Sequence, residues 1–64
     1  MLKRLKAIRK YVGLNQTDFG KRIGMSQSGY GQIETGDRAL NDRIIKLICL
    51  EFAIDENWFR TGQG

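Results

Sequence analysis

The sequence predicts an all-α domain in which five short helices surround one core. Apolar residues recur at helical spacing in five successive segments, and a glycine or a helix-capping residue marks the start of each new segment. The 64 residues allow one domain only, and a chain of this length buries about 60% of the surface that its unfolded form exposes. We therefore expect one small core. The chain has no proline, no internal repeat and no low-complexity segment.

The first predicted helix covers residues 1–12 and is amphipathic, because basic residues separate its regularly spaced apolar positions. Those apolar positions are Leu2, Leu5, Ile8 and Val12. Gly13 suits the C-terminal cap, where the backbone must be left-handed, and Lys10 in the last turn complements the helix dipole. The helix is therefore predicted to end at Val12.

A second helix is predicted over residues 16–23, with Asn15 as its N-cap and Gly24 at its end. Its apolar face consists of Phe19 and Ile23. Gly20 lies in the middle of this helix, where glycine costs roughly 1 kcal/mol relative to alanine. A glycine at this position makes sense if another helix crosses very close to it.

A third helix is predicted over residues 27–34, with Ser26 as its N-cap and Gly36 at its end. Its apolar positions are Tyr30 and Ile33. Gly29 and Gly31 give it poor helix propensity. They do not indicate a phosphate-binding loop, because no strand precedes them and the third glycine of that motif is missing. Two short helices joined by a tight turn make a helix-turn-helix.

A fourth helix is predicted over residues 43–52, and the residue that starts it is Asn41 or Asp42. This helix is apolar enough to be the central core element. Its apolar residues are Ile44, Ile45, Leu47, Ile48, Cys49 and Phe52. Asp55 caps a fifth helix, which carries Trp58 and Phe59 and ends at Thr61 and Gly62. These two aromatic residues fit either the core or a subunit interface. The core is preferred, because so short a chain needs every large apolar residue.

The outward face of the third helix carries small or amide-bearing uncharged residues. With the apolar positions turned to the core, the residues that point away from it are Gln27, Ser28, Gly31 and Gln32. Such a face suits the edges of bases in the major groove of DNA. A glutamine can form two hydrogen bonds with adenine and so discriminate between bases by ~1–3 kcal/mol.

The net charge of +4 is distributed unevenly along the chain. Residues 1–38 contain eight basic and three acidic groups, whereas residues 39–64 contain three basic and four acidic groups. The basic excess therefore lies in the half that contains the helix-turn-helix, which predicts a surface facing phosphates. For the basic face of the first helix two interpretations stay open, a solvated surface and a DNA-facing one.

Composition argues against other classes of function. The chain has no histidine, and its one cysteine, Cys49, lies in an apolar run, where we expect a small buried hydrophobe. This predicts neither an enzyme nor a metal site, and it implies no cofactor and no small-molecule substrate. No apolar run approaches the ~18 residues of a membrane span, and no signal peptide is evident. We expect a cytoplasmic protein without a membrane partner.

Taken together, these residues resemble the Cro and phage-repressor type of helix-turn-helix domain, a lambda-repressor-like and XRE-like fold, over nearly the whole chain. The terminal segment is also similar to that of prophage-type regulators of Gram-positive bacteria. The positions that carry the resemblance are Arg9, Leu14-Asn15-Gln16, Phe19, Ile23-Gly24, Ser26, Ile33-Glu34, Gly36 and Trp58-Phe59-Arg60-Thr61-Gly62.

The resemblance implies roles for individual residues. Base contacts fall on Gln27, Ser28, Gly31 and Gln32. Gln16 is expected to touch a phosphate and to brace Gln27. Further phosphate contacts are expected from Thr17, Lys21, Arg22, Thr35, Arg38 and Arg43, with Lys21 and Arg22 as alternatives at the rim.

Three further positions carry expectations of their own. Arg9 and Glu34 are expected to form an ion pair between the first and third helices, the alternative for Arg9 being a phosphate contact. Tyr30 stands where the family usually has an aliphatic residue, so its ring is expected in the core with the hydroxyl outward. Ala53 occupies a turn position that often holds asparagine or glycine, and a left-handed backbone there would strain it.

The function implied is that of a sequence-specific transcriptional regulator, a repressor that binds a palindromic operator in double-stranded DNA as a homodimer. The alternative is a protein-interaction module, an antitoxin or antirepressor that uses the same fold. Residues 1–64 are expected to form a single DNA-binding domain, either complete or the N-terminal part of a longer protein.

Overall fold

Five α-helices follow one another, joined by short turns. A computed structural model describes residues 1–63, so that Gly64 lies outside the described residues. The helices are α1 (Leu2–Val12), α2 (Gln16–Arg22), α3 (Gln27–Thr35), α4 (Asp42–Phe52) and α5 (Glu56–Thr61). The described chain contains no strand. The predicted all-α class with five helices is confirmed, and the predicted helix ends differ from the observed ones by no more than one residue.

Side-chain caps fix where four of the helices begin. Asn15 Oδ1 accepts a hydrogen bond from the backbone N–H of Asp18 at 2.8 Å, and Ser26 Oγ accepts one from Gly29 at 3.1 Å. Asn41 and Asp55 cap α4 and α5 in the same way. Each cap satisfies an N–H group that would otherwise have no partner inside its helix. These caps explain why α3 begins cleanly despite its glycines.

The core is filled by side chains from all five helices. Its fully buried members are Leu5, Ile8, Phe19, Ile23, Tyr30, Ile33, Ile45, Ile48 and Phe59. The ring of Phe19 packs between two others: it stacks on Phe52 with centroids 4.7 Å apart and lies tilted against Tyr30 at 4.9 Å. Aromatic pairs in these arrangements add to the stabilisation that burial alone provides. The cluster fastens α2 and α3 to α4.

The prediction that α4 is the central core element is wrong in part. Ile45 and Ile48 are buried, but Leu47 is 37% exposed and Cys49 is only half-buried. Burial raises the pKa of the Cys49 thiol. Leu47 is four residues from both Arg43 and Glu51, so it lies on the charged face of the helix, opposite the buried face. Among the described residues α2 and α3 pack against each other most extensively.

The end of the chain departs from prediction at one aromatic residue. Phe59 is fully buried, as expected for a core residue, but Trp58 is only half-buried and lines an apolar groove between α1 and α5. Ala53 ends α4 with φ 55° and ψ 46°, the left-handed conformation that alanine adopts only under strain. A residue without glycine's freedom therefore makes the turn into α5.

Gly20 is the point of closest approach between α2 and the start of α3. A Cβ placed on Gly20 would lie 3.0 Å from the carbonyl oxygen of Met25 and 3.2 Å from Cβ of Tyr30. The carbonyl of Gly20 itself accepts a hydrogen bond from the backbone N–H of Met25 at 2.7 Å. Gly24 makes the turn with φ 77°. Glycine at position 20 therefore permits the short turn of the helix-turn-helix.

We predict that Gly20→Val destabilises the fold by about 1–3 kcal/mol or more, because its branched carbons would overlap backbone oxygens that cannot move aside. The free energy of unfolding in urea measures the effect. Thr17→Val, an exposed position in the same helix, is the control for the helix propensity of valine. Equal stability of the two variants would contradict the close approach.

Candidate nucleic-acid interface

A shallow groove runs along the exposed side of α3. Tyr30 and Ile33 turn inward and are fully buried, so the opposite face of the helix is left to solvent. The groove is lined by Gln16, Gln27, Ser28, Gly31, Gln32, Thr35 and Asp37. All four residues expected to contact bases therefore lie side by side in this groove. Its floor offers uncharged hydrogen-bonding groups, with one carboxylate, that of Asp37, at the edge.

Two glutamines in the groove are hydrogen-bonded to each other. Gln27 Nε2 donates to Gln16 Oε1 at 2.8 Å, and Gln16 Nε2 donates to Glu34 Oε1 at 3.1 Å. A Cβ on Gly31 would lie 3.3 Å from Gln16 Oε1 and 3.4 Å from Gln27 Nε2. Gly31 contributes no side chain to the groove, and its lack of one leaves room for the bond between the two glutamines.

The carboxylate of Glu34 lies beneath this pair, between three helices. Its oxygens accept hydrogen bonds from Arg9 of α1, Gln16 of α2 and Tyr30 of α3. Arg9 Nε lies 2.6 Å from Oε2, and Arg9 Nη2 lies 3.3 Å from Oε1. The side chain of Glu34 is 2% exposed and that of Arg9 is 19% exposed. This arrangement is a nearly buried ion pair with additional neutral donors.

The surroundings of Glu34 keep it ionised. Burial alone would raise the pKa of the carboxyl, but the hydrogen bonds from Arg9, Tyr30 and Gln16 outweigh burial and lower it below the usual value. The hydrogen bond with Glu34 raises the pKa of Arg9. Burial, followed by the hydrogen bond to Glu34, raises the pKa of the Tyr30 hydroxyl. At neutral pH the carboxylate is therefore charged and accepts only.

The position of the Tyr30 hydroxyl corrects the expectation drawn from the sequence. The hydroxyl does not point outward. It donates a hydrogen bond to Glu34 Oε2, and Tyr30 is fully buried. The resemblance offered no guide, because an aliphatic residue at this position has no donor. The spacing of Tyr30 and Glu34, four residues apart on one helix, is the signal that predicts such a contact.

The residues expected to contact phosphates lie on the surface, and two of them, Gln16 and Thr35, line the groove itself. Thr17, Lys21, Arg22, Thr35, Arg38 and Arg43 are all exposed, and Gln16 is half-buried. Arg22 is engaged elsewhere: its guanidinium pairs with Glu51 at 2.7 Å and lies over the ring of Phe52. Lys21 forms no ion pair within residues 1–63.

Two other candidates already make local contacts. Thr35 Oγ1 lies 3.1 Å from the carbonyl oxygen of Gln32 and 3.1 Å from Asp37 Oδ2, and its one proton can serve only one of them at a time. A Cβ on Gly29 would lie 3.1 Å from Arg38 Nη1, so this glycine lets a guanidinium rest against α3. Arg38 therefore lies against α3 at Gly29, a position that does not line the groove.

The basic face of α1 includes a residue that sequence reasoning missed. Arg4 Nε donates to the carbonyl oxygen of Phe59 at 2.8 Å, and Arg4 Nη2 donates to that of Arg60 at 3.1 Å. These carbonyls lie in the last turn of α5, where a cation also interacts favourably with the helix dipole. With Arg9 paired to Glu34, two basic residues of α1 serve the fold. A contact across 55 residues leaves no local signal in the sequence.

We predict that Glu34→Leu destabilises the protein by about 3–5 kcal/mol, because it leaves the guanidinium of Arg9 without its partner in a nearly buried site. The free energy of unfolding in urea is the measurement. Glu51→Leu removes a carboxylate of the same size from an exposed pair and is expected to cost less than about 1 kcal/mol. An unchanged melting temperature in Glu34→Leu would refute the structural role of the pair.

The lowered pKa of Glu34 also predicts a dependence of stability on pH. The unfolded carboxyl has a pKa of about 4.3 and takes up its proton before the folded one does. The stabilisation is therefore fully present above that pH and is lost as the pH falls through the lower folded pKa. Urea unfolding at a series of pH values should show this loss in the wild type and in Glu51→Gln. Glu34→Gln should lack it, and an identical pH slope in all three proteins would contradict the prediction.

None of the helices in residues 1–63 is both long and apolar enough to cross a membrane.

A family model described as helix-turn-helix matches residues 5–59, which is most of the chain. No curated protein and no solved structure matches the chain significantly. The matched span contains α2, α3, the groove and the Glu34 site. The chain therefore belongs to the XRE/Cro-like helix-turn-helix family of DNA-binding regulators.

Proposed function

We propose that this domain is a repressor of transcription that recognises a palindromic operator as a homodimer and acts in the cytoplasm. The observation that carries the proposal is the uncharged outward face of α3, which presents amide groups in an open groove. In the proposed complex α3 lies in the major groove. One such helix covers about half a site, so a two-fold dimer reads two half-sites roughly one turn apart.

Within this proposal, the groove residues divide by their chemistry. Gln27 and Gln32 contact base edges through their amides, Ser28 through its hydroxyl, and Gly31 through close approach of its backbone. Phosphates are contacted by Gln16, Thr17, Lys21, Thr35, Arg38 and Arg43. The Arg22 guanidinium contributes there only if its exposed pair with Glu51 opens. Phosphate contacts fix the position on the duplex, whereas base contacts select the sequence.

Selection from random duplex DNA tests the proposal as a whole. The bound fraction, once sequenced, is expected to contain two inverted half-sites separated by about one helical turn. A motif without inverted symmetry would contradict the homodimer, and the absence of any motif would contradict sequence-specific binding. Recovery of a stoichiometric protein partner from cells, without enrichment of DNA, would favour the protein-interaction alternative.

We predict that Gln27→Ala weakens binding to the selected operator by about 5- to 150-fold for each half-site, because each subunit of the proposed dimer loses one bidentate base contact. Binding to unrelated duplex DNA should change little, because a base contact contributes nothing there. Fluorescence anisotropy with both duplexes measures the difference, and Gln63→Ala, another exposed glutamine, is the control. Equal losses on the two duplexes would refute a base-contacting role.

We also predict a steep dependence on salt. If about six to eight phosphates are neutralised per dimer, the logarithm of the association constant falls with the logarithm of salt concentration with a slope of about −5 to −7. Lys21→Ala should make this slope shallower, by about 2 per dimer. Lys46→Ala, an exposed lysine on α4, is the control and should leave the slope unchanged. A flat salt dependence would contradict the phosphate contacts.

A further inference from the structure

The carboxylate of Glu34 determines how the amide of Gln16 is oriented. An ionised carboxylate can only accept hydrogen bonds, so the group that Gln16 turns toward it must be its NH2. The other end of that amide, Oε1, then faces Gln27. The orientation of this amide is thus fixed by a neighbour that has no proton to give.

The orientation of Gln16 in turn determines what Gln27 offers to a ligand. Oε1 of Gln16 can only accept, so Gln27 must use one of its two N–H groups to bond to it, at 2.8 Å. In the part of the chain that the structure describes, Oε1 of Gln27 has no hydrogen-bond partner. One donor and one acceptor of Gln27 are therefore left for the groove.

Gly31 of α3 provides the space for this arrangement. Both amides come within 3.4 Å of the position that a Cβ on Gly31 would occupy. A side chain at this position would press on the bond between Gln16 and Gln27, whereas the hydrogen of glycine does not. The same helix thus provides the carboxylate at Glu34, the oriented amide at Gln27 and the gap between them.

We propose that Glu34 is a positioning residue for base selection: through Gln16 it makes Gln27 select adenine over guanine. This inference rests on the proposed function. Adenine presents an acceptor, N7, and a donor, N6–H, in the major groove, which match the one donor and one acceptor that Gln27 has left. Guanine presents two acceptors, N7 and O6, so that the Gln27 oxygen would face the guanine oxygen.

Replacing the Glu34 carboxylate by an amide is expected to reverse the orientation of the Gln16 amide. With Glu34→Gln, the new amide can donate to Gln16 Oε1, and the NH2 of Gln16 then turns toward Gln27. Gln27 would accept that bond through its oxygen and keep both N–H groups for the base. Two donors suit the two acceptors of guanine. Selectivity for adenine is therefore lost by a change in orientation, with Gln27 itself unaltered.

The test measures the ratio of affinities for two duplexes that differ at one base pair. The operator is selected with the wild-type protein, and Gln27→Ala identifies the base pair that Gln27 contacts. Adenine at that position is then replaced by guanine. The wild type should prefer adenine by about 5- to 150-fold. Glu34→Gln should reduce the preference to a few-fold or reverse it.

Two further variants separate base selection from stability. Gln16→Met cuts the connection between Glu34 and Gln27 without touching the buried ion pair, so it should reduce the preference in a well-folded protein. Tyr30→Phe removes a different donor from the same carboxylate. It should lower the melting temperature and leave the preference for adenine unchanged. A merely structural role of Glu34 would not produce this difference between the two variants.

The outcomes distinguish the inference from the function on which it rests. If Gln27→Ala alters the preference at one base pair while Gln16→Met and Glu34→Gln retain it, the positioning role of Glu34 is overturned and the proposed function stands. If the base pair contacted by Gln27 is not adenine in the wild-type operator, the inference is likewise overturned. If the wild type selects no sequence at all, the proposed function and the inference fail together.

Discussion

The structure depends on one buried carboxylate. Glu34 receives hydrogen bonds from side chains of α1, α2 and α3, and a charge taken out of water is tolerated only with such compensation. The hydrogen bonds from all three helices are therefore needed together to offset the cost of burying the charge. The carboxylate joins α1 to the two helices of the helix-turn-helix, so the stability of the domain and the geometry of its exposed groove have a common origin.

The same constraint helps to explain why α3 forms despite its low intrinsic stability. Gly29 and Gly31 should weaken α3, yet it runs unbroken from Gln27 to Thr35. The Ser26 cap holds its first turn, and the buried contacts of Tyr30 and Glu34 hold the rest. Stabilisation from neighbouring helices replaces propensity. Gly29 leaves room for the guanidinium of Arg38, and Gly31 leaves room for the hydrogen-bonded pair of Gln16 and Gln27.

The sequence was sufficient for the features that rest on local chemistry. Helix ends followed from caps such as Asn15 and Ser26, and the outward face of α3 followed from the spacing of its apolar residues. What escaped prediction depends on contacts between distant segments. The residues next to Arg22 in the sequence do not predict its ion pair with Glu51, and those next to Arg4 do not predict its hydrogen bonds to α5. In α4 the failure has another cause: a core position for Leu47 follows from its apolar side chain alone, although it lies on the same helix face as Arg43 and Glu51, each four residues away.

The close approach at Gly20 restricts how the domain can adapt to a duplex. The backbone N–H of Met25 donates to the carbonyl of Gly20 at 2.7 Å, so α2 and the start of α3 cannot move closer at this point, and separating them would break this hydrogen bond. In the proposed complex the protein therefore acts as a rigid template, and any misfit in groove width or curvature must be taken up by the nucleic acid. Operators whose base steps deform easily would then bind more tightly than stiff ones, even where no side chain reaches the bases concerned.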